Sequence, residues 1–414
     1  MNILYINHYA GSIYHGMEFR PYYLAREWVK LGHNVSIIAS SFSHLRSKNI
    51  FLENNFEEES IDGIKYIWCK TISYNSNGLK RIINIHQFLR RVNKLIPYIV
   101  TELKPDLVIS SSTYPFDTKI AYKISKLTNA KFIYEVHDLW PLTLIELNGI
   151  SKYNPYIMYM QKAENFGYRH ADFVVSLLPL AKEYMELHGL GKNKFKWISN
   201  GVCCEEQINN FELLSEQMQN NIEQIKKNYK FLIAYCGTIG KANALEYLIK
   251  AAREIPKFAI LIVGDGMLKQ KLINQSVDYG LTNVYFLGKI NKNQVLTFLK
   301  QMDCLYLGWC KSSLYRFGIS PNKVFDYMLS GRPILHSVDN TNDIVKEAKC
   351  GISVVSENPQ VIVDGLKTIA NMSKKERDIL GLNGKNFVTT KFDYQLLAKK
   401  FLEILDIDRS NNEN

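Results

Sequence analysis

The sequence has 414 residues, of which 46% are hydrophobic and 22% charged, and its formal net charge is +11. A chain of this length can bury two ordinary domain cores, and this composition is that of a folded globular protein, which excludes a disordered chain. The longest apolar runs fall short of the roughly 18 residues that cross a bilayer. The start, MNILYINHYA, has no basic region and no cleavage site, so it predicts a first strand and not a signal peptide.

The seven cysteines include no C-x-x-C pair and do not cluster with histidines. Reduced thiols in a cytosolic protein are therefore expected, and a structural zinc site is not. The basic residues are spread over both halves of the chain, so nucleic acid is not expected as a partner.

The N-terminal half alternates strand and helix patterns. NILYIN predicts the first strand, a helix follows at about Arg20–Leu31, and NVSIIAS predicts the second strand. The first loop contains Gly11 and Gly16, where a doubly wound sheet brings its backbone close to a ligand. A plain turn explains these glycines equally well.

One amphipathic helix is predicted over residues 78–103. Its apolar side consists of Ile82, Ile85, Leu89, Val92, Leu95, Ile96 and Ile99, and its basic side of Lys80, Arg90, Arg91 and Lys94. Residues 63–101 contain seven Lys or Arg and no carboxylate. Attachment to an anionic membrane surface is one interpretation, and a core-facing helix with a solvated basic face is the other.

Three further strands, PDLVIS, AKFIYEV and ADFVVSLL, alternate with helical stretches, which predicts a parallel sheet. His137 lies just past the carboxyl end of KFIYEV, at the edge where open α/β sheets bind ligands. The sequence leaves a structural and a catalytic histidine equally open at this point.

A polar stretch from Glu205 to Lys230 predicts a domain boundary, and FLIAYCG, FAILIVG and NVYFLG begin a second doubly wound domain. We therefore expect an N-terminal domain over residues 1–204 and a second domain over 205–391. A final helix within 392–414 is expected to cross back to the first domain, and ligands are expected between the two domains.

The stretch 303–337 reads as strand, loop, helix and strand. Ser320 is predicted to cap the helix, Pro321 to lie in its first turn, and Gly331 with Pro333 to end it. A helix N-terminus with Lys323 and Asp326 suits a diphosphate with a hydroxylated sugar beside it. The alternative is a strand crossover whose Lys and Asp are merely solvated.

These motifs together resemble a known family. VGDG, NVYFLGKI and GISPNKVFDYMLSGRPIL, with HGMEFRPYYLAREWVKLGHNVSIIAS and EVHDLWP, resemble bacterial family 4 glycosyltransferases. The SPNK-FDYM and HDLWP blocks resemble the branch that extends lipid-linked sugars of O-antigen or capsule. The resemblance covers nearly the whole chain and implies the GT-B fold, an α/β architecture of two doubly wound Rossmann-like domains facing across a cleft.

The resemblance also implies an activity. Such an enzyme transfers a sugar with retention of configuration and without a metal ion or other cofactor. The expected donor is a nucleotide sugar, UDP-linked and carrying an N-acetylated or deoxy-hexose. The expected acceptor is a polyprenyl-pyrophosphate-linked saccharide, reached from the cytoplasm at an anionic inner membrane surface.

By position, Asp326 takes the place of the second Glu of the family's E-x7-E motif, which holds the ribose hydroxyls, and His137 matches the histidine that faces the donor sugar. Gly318 stands where the first Glu belongs, and Thr238 and Asn243 stand where the phosphate-binding Arg and Lys belong. His137 and Lys323 are the expected catalytic residues. The expected donor site consists of Gly16, Thr238, Lys241, Arg316, Ser320, Asn322, Lys323 and Asp326.

Two other functions remain open at this point. A nucleotide-sugar 2-epimerase would need acid and base groups, for which His137 is the main candidate. A non-catalytic sugar-nucleotide-binding partner subunit would be consistent with the glycine at 318. No carboxylate pair at a hydrolase-like spacing is present, which argues against a glycosidase.

Overall fold

The computed structural model describes residues 1–16, 19–74, 78–205, 212–339 and 342–412, the last seven by their backbone alone. Residues 206–211 of the predicted polar stretch lie outside the described residues. The chain divides into two compact units, Met1–Asn200 with Phe317–Ser320 and Tyr394–Asn414, and Gly201–Arg316 with Pro321–Asp393. Each unit is built on one mainly parallel sheet, which confirms the predicted α/β class with two doubly wound domains.

The sheet of the first unit has eight strands in the order β3-β4-β2-β1-β5-β6-β7-β8. Its strands are β1 Asn2–Ile6, β2 Asn34–Ser40, β3 Phe56–Ile61, β4 Ile64–Cys69, β5 Leu107–Ser110, β6 Lys131–Val136, β7 Phe173–Ser176 and β8 Phe195–Trp197. All neighbours pair in parallel except β3 and β4. The apolar strand runs of the sequence are thus buried on both faces, as in other doubly wound sheets.

The hairpin of β3 and β4 was missed in the sequence. The two strands are joined by Asp62 and Gly63, whose φ angles are +50° and +79°. An Asp-Gly pair with two positive φ angles is the turn that two-residue hairpins favour, so the signal was present.

The second unit has a six-stranded, wholly parallel sheet in the order β11-β10-β9-β12-β13-β14. Its strands are β9 Leu232–Cys236, β10 Ala259–Val263, β11 Val284–Gly288, β12 Cys304–Gly308, β13 Ile334–Ser337 and β14 Gly351–Val354. Ile233, Ile260 and Leu335 lie in one core cluster with residues of the helices that follow the strands.

The helices, in chain order, are α1 Phe19–Lys30, α2 Leu79–Lys94, α3 Ile96–Tyr98, α4 Thr118–Thr128, α5 Leu142–Asn148, α6 Pro155–His170, α7 Lys182–Leu187, α8 Glu216–Asn228, α9 Leu245–Ala252, α10 Lys269–Asp278, α11 Lys292–Leu299, α12 Asn322–Leu329, α13 Ile344–Glu347, α14 Pro359–Asn371, α15 Lys374–Lys391 and α16 Tyr394–Asn412. None of them, over the part of the chain that the structure describes, has the length and apolar content of a membrane-crossing helix.

The prediction of one continuous helix over 78–103 was wrong. The segment consists of α2, then α3, then a π-helical turn over Ile99–Leu103. Pro97 explains the division, because it has no N–H to donate and its ring collides with the carbonyl of the preceding turn.

The predicted cap of α12 was also wrong. Pro321 occupies the N-cap position and no side chain caps the helix. The Ser320 hydroxyl instead accepts a hydrogen bond from the Asn200 backbone N–H at 3.0 Å, and the Ser320 carbonyl accepts one from Asn200 Nδ2 at 2.9 Å. The predicted end is confirmed, since the helix ends at Leu329 and Gly331 has a φ of +71°.

The last helix, α16, packs on α1 within the first unit. The Trp28 indole N–H donates to the Ala398 carbonyl at 3.0 Å, and the Trp28 ring lies 5.2 Å from the ring of Phe401. The rings of Tyr23 and Tyr394 stack at 5.0 Å. Trp28 is fully buried, so this contact adds a large apolar side chain to the core of the first unit.

We expect Trp28→Ala to lower the free energy of unfolding of the first unit by about 3–5 kcal/mol, because it leaves a cavity and removes the hydrogen bond from the indole to the Ala398 carbonyl. Chemical denaturation followed by circular dichroism measures the loss. The matched control is Phe51→Ala, since Phe51 is 89% exposed and its removal should change stability by less than about 0.5 kcal/mol. Equal stability of the two variants would contradict the packing of α16 on α1.

Candidate active site

One cluster of polar side chains, in the first unit, surrounds His137 directly after β6. Its side chain is 10% exposed, and its Nε2 lies 2.8 Å from the Ser111 hydroxyl and 3.3 Å from Glu135 Oε2. Ser111 follows β5, the neighbouring strand, so both groups lie at the carboxyl edge of the sheet. Ser111 donates its single hydroxyl proton to Glu135 Oε2 at 2.6 Å. The serine oxygen therefore accepts from His137, which assigns the imidazole proton to Nε2.

A buried ion pair lies beneath this histidine. The fully buried Glu135 accepts from Arg20 Nε at 3.0 Å and Nη2 at 2.9 Å, both at Oε1, and from the Tyr5 hydroxyl at Oε2. The Arg20 guanidinium also donates to the carbonyls of Ile198 and Ser199, at 3.0 and 2.5 Å. Every part of the pair thus has partners, as a buried charge requires.

The pKa of Glu135 reflects two opposing causes. Burial alone would raise it, but the charge of Arg20 and the hydrogen bonds from His137 and Ser111 hold the pKa of this carboxyl below its ordinary value. Glu135 is therefore ionised at neutral pH, in contact with the imidazole.

Sequence reasoning found His137 and missed its partners. Glu135 occupies a position in the otherwise apolar run of β6, and Arg20 is buried on α1. A charged residue inside a strand that is buried on both faces is the signal that could have indicated Glu135, because such a residue is almost never buried unpaired.

A second cluster of polar side chains lies in the other unit, at the first turn of α12. Lys323 is half-buried, and its Nζ donates to the Tyr235 hydroxyl at 2.8 Å and to Asn243 Oδ1. The amine also lies 4.8 Å from the centroid of the Tyr235 ring. Burial lowers the pKa of Lys323 to about 8.

Two glycine-containing loops beside Lys323 touch through their backbones. Gly237 N–H donates to the Val263 carbonyl at 2.9 Å, and Ile239 N–H to the Asp265 carbonyl at 2.8 Å. A Cβ on Gly264, whose φ is +141°, would lie 1.9 Å from the Gly237 oxygen. Only glycine fits at 264, and the loop after β9 is thereby held in place.

The loop after β9 also holds the partners of Lys323. The Thr238 carbonyl accepts from the Tyr235 hydroxyl at 2.6 Å and from Asn243 Nδ2 at 2.9 Å. Asn243 thus bonds Thr238 through one side-chain atom and Lys323 through the other. In the resembled family a lysine stands at the position of Asn243. In this chain, Lys323 of α12 places its ammonium group beside Asn243 instead.

Asp326 lies one turn further along α12. Both of its carboxylate oxygens lie 2.6 Å from the Nζ of Lys292, the first residue of α11, and Asp326 is 8% exposed. The sequence did not single out Lys292. Its distance from Asp326 in the chain, 34 residues, left no local pattern that could have indicated the pair.

The other residues predicted for the donor site have different surroundings from Lys323 and Asp326. Thr238, Lys241, Arg316 and Asn322 are exposed, and the Arg316 guanidinium donates to the Ser313 carbonyl at 2.5 Å. Ser320 belongs to the first unit with its partner Asn200. The structure therefore joins Lys323 to Asn243 and Asp326 to Lys292.

Gly16 and Gly318 both have left-handed backbone. Gly16 has a φ of +69°, and a Cβ there would lie 2.4 Å from the Ser47 hydroxyl oxygen. Gly318 is buried with a φ of +92°. A glutamate at 318 would be strained in this backbone, which accounts for the departure from the E-x7-E motif.

The described side chains contain no group of three or more His, Cys, Asp or Glu arranged to hold a metal ion. All seven cysteines are free thiols.

Comparison with protein families gives two matches. Residues 14–206 match the model of Glycosyltransferase Family 4, and residues 217–387 match the model of Glycosyl transferases group 1. A relative from Methanocaldococcus jannaschii, an uncharacterized glycosyltransferase, is 23% identical over 312 residues, which are 73% of this chain and 75% of the relative.

Solved structures agree in fold. HepE of Anabaena, crystallised with UDP and glucose, superposes with a TM-score of 0.67 at 15% identity over 98% of this chain and 99% of that chain. WaaG, a glycosyltransferase involved in lipopolysaccharide biosynthesis, superposes with a TM-score of 0.66 at 13% identity over 97% and 99%. The protein is a glycosyltransferase of the GT-B fold. In this glycosyltransferase, the His137 cluster lies in the part that matches family 4 and the Lys323 cluster in the part that matches group 1.

We expect Arg20→Met to lower the free energy of unfolding of the glycosyltransferase by about 3–5 kcal/mol, because it leaves Glu135 buried without its counter-charge. The control is the double variant Arg20→Met/Glu135→Gln, which removes both charges and should recover most of the loss. The pKa of Glu135 is lowered on folding, so in the wild type its contribution is present above the ordinary glutamate pKa and is lost as pH falls through the folded value. Urea denaturation at pH 7 and pH 4 measures these effects, and a double variant as unstable as the single one would contradict them.

Proposed function

We propose that the protein transfers a sugar, with retention and without a metal ion, from a UDP-linked donor to a polyprenyl-pyrophosphate-linked saccharide. The observation that carries the proposal is Lys323 at the first turn of α12, held by Tyr235 and Asn243 beside two tightly packed glycine loops. Crystal structures of the neighbour HepE with UDP and with UDP-glucose support a uridine nucleotide as the donor's carrier.

Lys323 would bind the diphosphate of the donor. Breaking the bond between sugar and diphosphate leaves negative charge on the phosphate, and a fixed cation at that place lowers the barrier. The free N–H groups and the positive dipole end of α12 would add to this attraction. The amine would exchange its bonds with Tyr235 and Asn243 for stronger, charge-assisted bonds to phosphate oxygens.

Asp326 would accept hydrogen bonds from the ribose hydroxyls. Lys292 fixes the orientation of this carboxylate through contacts to both oxygens. A carboxylate retains lone pairs for further donors in such a pair, so the ion pair and a ribose contact are compatible.

His137 would face the transferred sugar. Ser111 and Glu135 hold the imidazole at Nε2 and fix the orientation of the ring. A ring fixed in this way would orient a sugar hydroxyl while the bond to the diphosphate breaks.

The inner face of the membrane is the proposed place of action, in the synthesis of O-antigen or capsule. Three of the four predicted basic residues of α2, Lys80, Arg90 and Lys94, are exposed, and Arg91 Nε donates to the Lys70 carbonyl at 3.0 Å. Ile85, Phe88 and Val92 of the same helix are buried. The helix thus has a core-facing side, and its basic side remains available to an anionic surface.

Incubation with a panel of labelled nucleotide sugars and a lipid-pyrophosphate saccharide tests the proposal, with the anomeric configuration of the product as a second readout. We expect transfer from a UDP-linked donor, and a loss of about 2–4 kcal/mol of transition-state stabilisation for Lys323→Ala. His137→Ala should lower kcat more than it lowers UDP affinity. An epimerised donor without transfer would indicate a 2-epimerase, and binding without turnover a partner subunit, and either result would overturn the proposal.

The pKa of Lys323, about 8, predicts a pH dependence of nucleotide binding. Below pH 8 the amine is protonated and attracts the diphosphate, and above pH 8 it is neutral. UDP affinity, measured by calorimetry, should therefore fall by up to about fivefold between pH 8 and pH 9, because the protonated fraction falls from about one half to about one tenth. In the control Lys323→Met the affinity should be lower at every pH and should not fall over this interval. An equal fall in both proteins would remove Lys323 from the diphosphate site.

A further inference from the structure

The first unit contains a cavity of about 390 Å³ between α2, α5 and α6. It is lined mainly by apolar and aromatic side chains, among them Ile82, Ile85, Tyr114, Trp140, Leu144 and Met160. Its volume falls within the range of small-molecule sites, about 300–1,000 Å³. No Asp or Glu stands among the described residues that line it.

One cation contributes to this lining. Arg81, on the first turns of α2, donates from Nε and Nη2 to the Tyr9 hydroxyl at 3.3 and 3.1 Å, and its guanidinium carbon lies 5.6 Å from the centroid of the Tyr9 ring. These contacts hold a positive charge at a wall that is mainly apolar. A ligand that complements this wall has an anionic group that binds Arg81 and, next to it, a hydrocarbon part that contacts the apolar side chains.

The cavity shares its loops with the His137 cluster. Trp140 follows His137 by three residues in the loop after β6. Thr113 and Tyr114, which also line the cavity, follow Ser111 in the loop after β5, and Ser111 is the partner of His137 Nε2. A molecule in the cavity therefore contacts the two loops that also carry Ser111 and His137.

Exposed apolar side chains surround the lining residues along the chain. Leu79 and Ile83 flank Arg81 and Ile82 on α2, and they are 72% and 42% exposed. The others are Leu147 at 39%, Tyr153 at 74%, Met158 at 47% and Tyr159 at 46%, each next to a residue of the lining. We call these six side chains the apolar rim. Each of the six belongs to a chain segment that lines the cavity, and exposed apolar side chains gathered on one surface mark contact with a membrane or another apolar partner.

We propose that the cavity binds the diphosphate and the first isoprene units of a polyprenyl acceptor, and that the apolar rim inserts into the bilayer that holds the rest of this chain. The proposal rests on the proposed function and specifies which surface receives its acceptor. Arg81 binds the diphosphate, while Ile82, Leu144 and Met160 cover the isoprene units. On α2 the contact with hydrocarbon lies at the N-terminal turns, about two to four turns from the basic residues Arg90, Arg91 and Lys94.

Farnesyl diphosphate is a soluble probe that carries both chemical features. By calorimetry, we expect the wild type to bind it at least tenfold more tightly than farnesol or inorganic pyrophosphate. Arg81→Gln should weaken the binding of farnesyl diphosphate at least tenfold and leave farnesol unchanged. The matched control Lys123→Gln, an exposed cation of α4 in the same unit, should bind all three probes as the wild type does. Binding of farnesyl diphosphate that is unchanged in Arg81→Gln would overturn the proposal.

Sedimentation with vesicles that are half phosphatidylglycerol tests the rim. The variant Leu79→Ser/Tyr153→Ser/Met158→Ser should lower the bound fraction at least fivefold. The control Phe51→Ser/Leu127→Ser/Leu187→Ser removes three equally exposed apolar side chains of the first unit that do not flank the cavity, and it should bind like the wild type. Equal binding of the two triple variants would overturn the role of the rim. Arg90→Glu/Arg91→Glu/Lys94→Glu separately tests the basic side of α2.

UDP affinity distinguishes the two proposals. If the wild type and the variants bind UDP equally well but do not bind farnesyl diphosphate, the proposal that the cavity binds the acceptor is overturned, and the proposed donor site is unaffected. If UDP does not bind while farnesyl diphosphate does, the proposed transferase function fails and the lipid site stands.

Discussion

The buried ion pair of Arg20 and Glu135 is the interaction on which the first unit depends. It joins α1 to β6 and to the carbonyls that follow β8, and it is inaccessible to water. Such pairs are often no more stabilising than apolar side chains of similar volume, because their desolvation is costly. What an apolar pair could not supply is a fixed negative charge at the edge of the sheet. Ser111 and His137 are both oriented by that charge.

The second unit uses backbone packing where the first uses charge. The loops after β9 and β10 approach so closely that Gly264 admits no Cβ. This contact fixes the Thr238 carbonyl, which positions Tyr235 and Asn243, and these two position Lys323. The amine is thereby held, half-buried and with a lowered pKa, at the N-terminus of α12. A cation with a lowered pKa is already partly desolvated, so less free energy is needed to transfer it from its present partners to a phosphate.

The chemistry of both units follows the general rule for open α/β sheets, in which ligands bind at the carboxyl ends of the strands. Ser111, His137 and Trp140 follow β5 and β6, and the loop from 237 to 243 follows β9. Helix α2 contributes differently. Its N-terminal turns line the cavity and carry the exposed Leu79, Lys80 and Ile83, and its later turns carry the exposed Arg90 and Lys94. The helix ends at Lys94, and Pro97 lies in the short helix α3 that follows.

Sequence periodicity determined the fold class and most strands, because β-strands buried on both faces require continuous apolar runs such as FAILIVG and KFIYEV. It also indicated His137 and Lys323. His137 adjoins the end of a strand and Lys323 the start of a helix, and the local sequence pattern predicts where strands end and helices begin. The partners of these residues could not be read in this way. Glu135 and Arg20 are 115 residues apart and Lys292 and Asp326 are 34 apart, and no local period relates such pairs. The capping of α12 failed for the same reason, because a hydroxyl bonds the nearest available donor, and only the tertiary structure decided that the donor for Ser320 is Asn200.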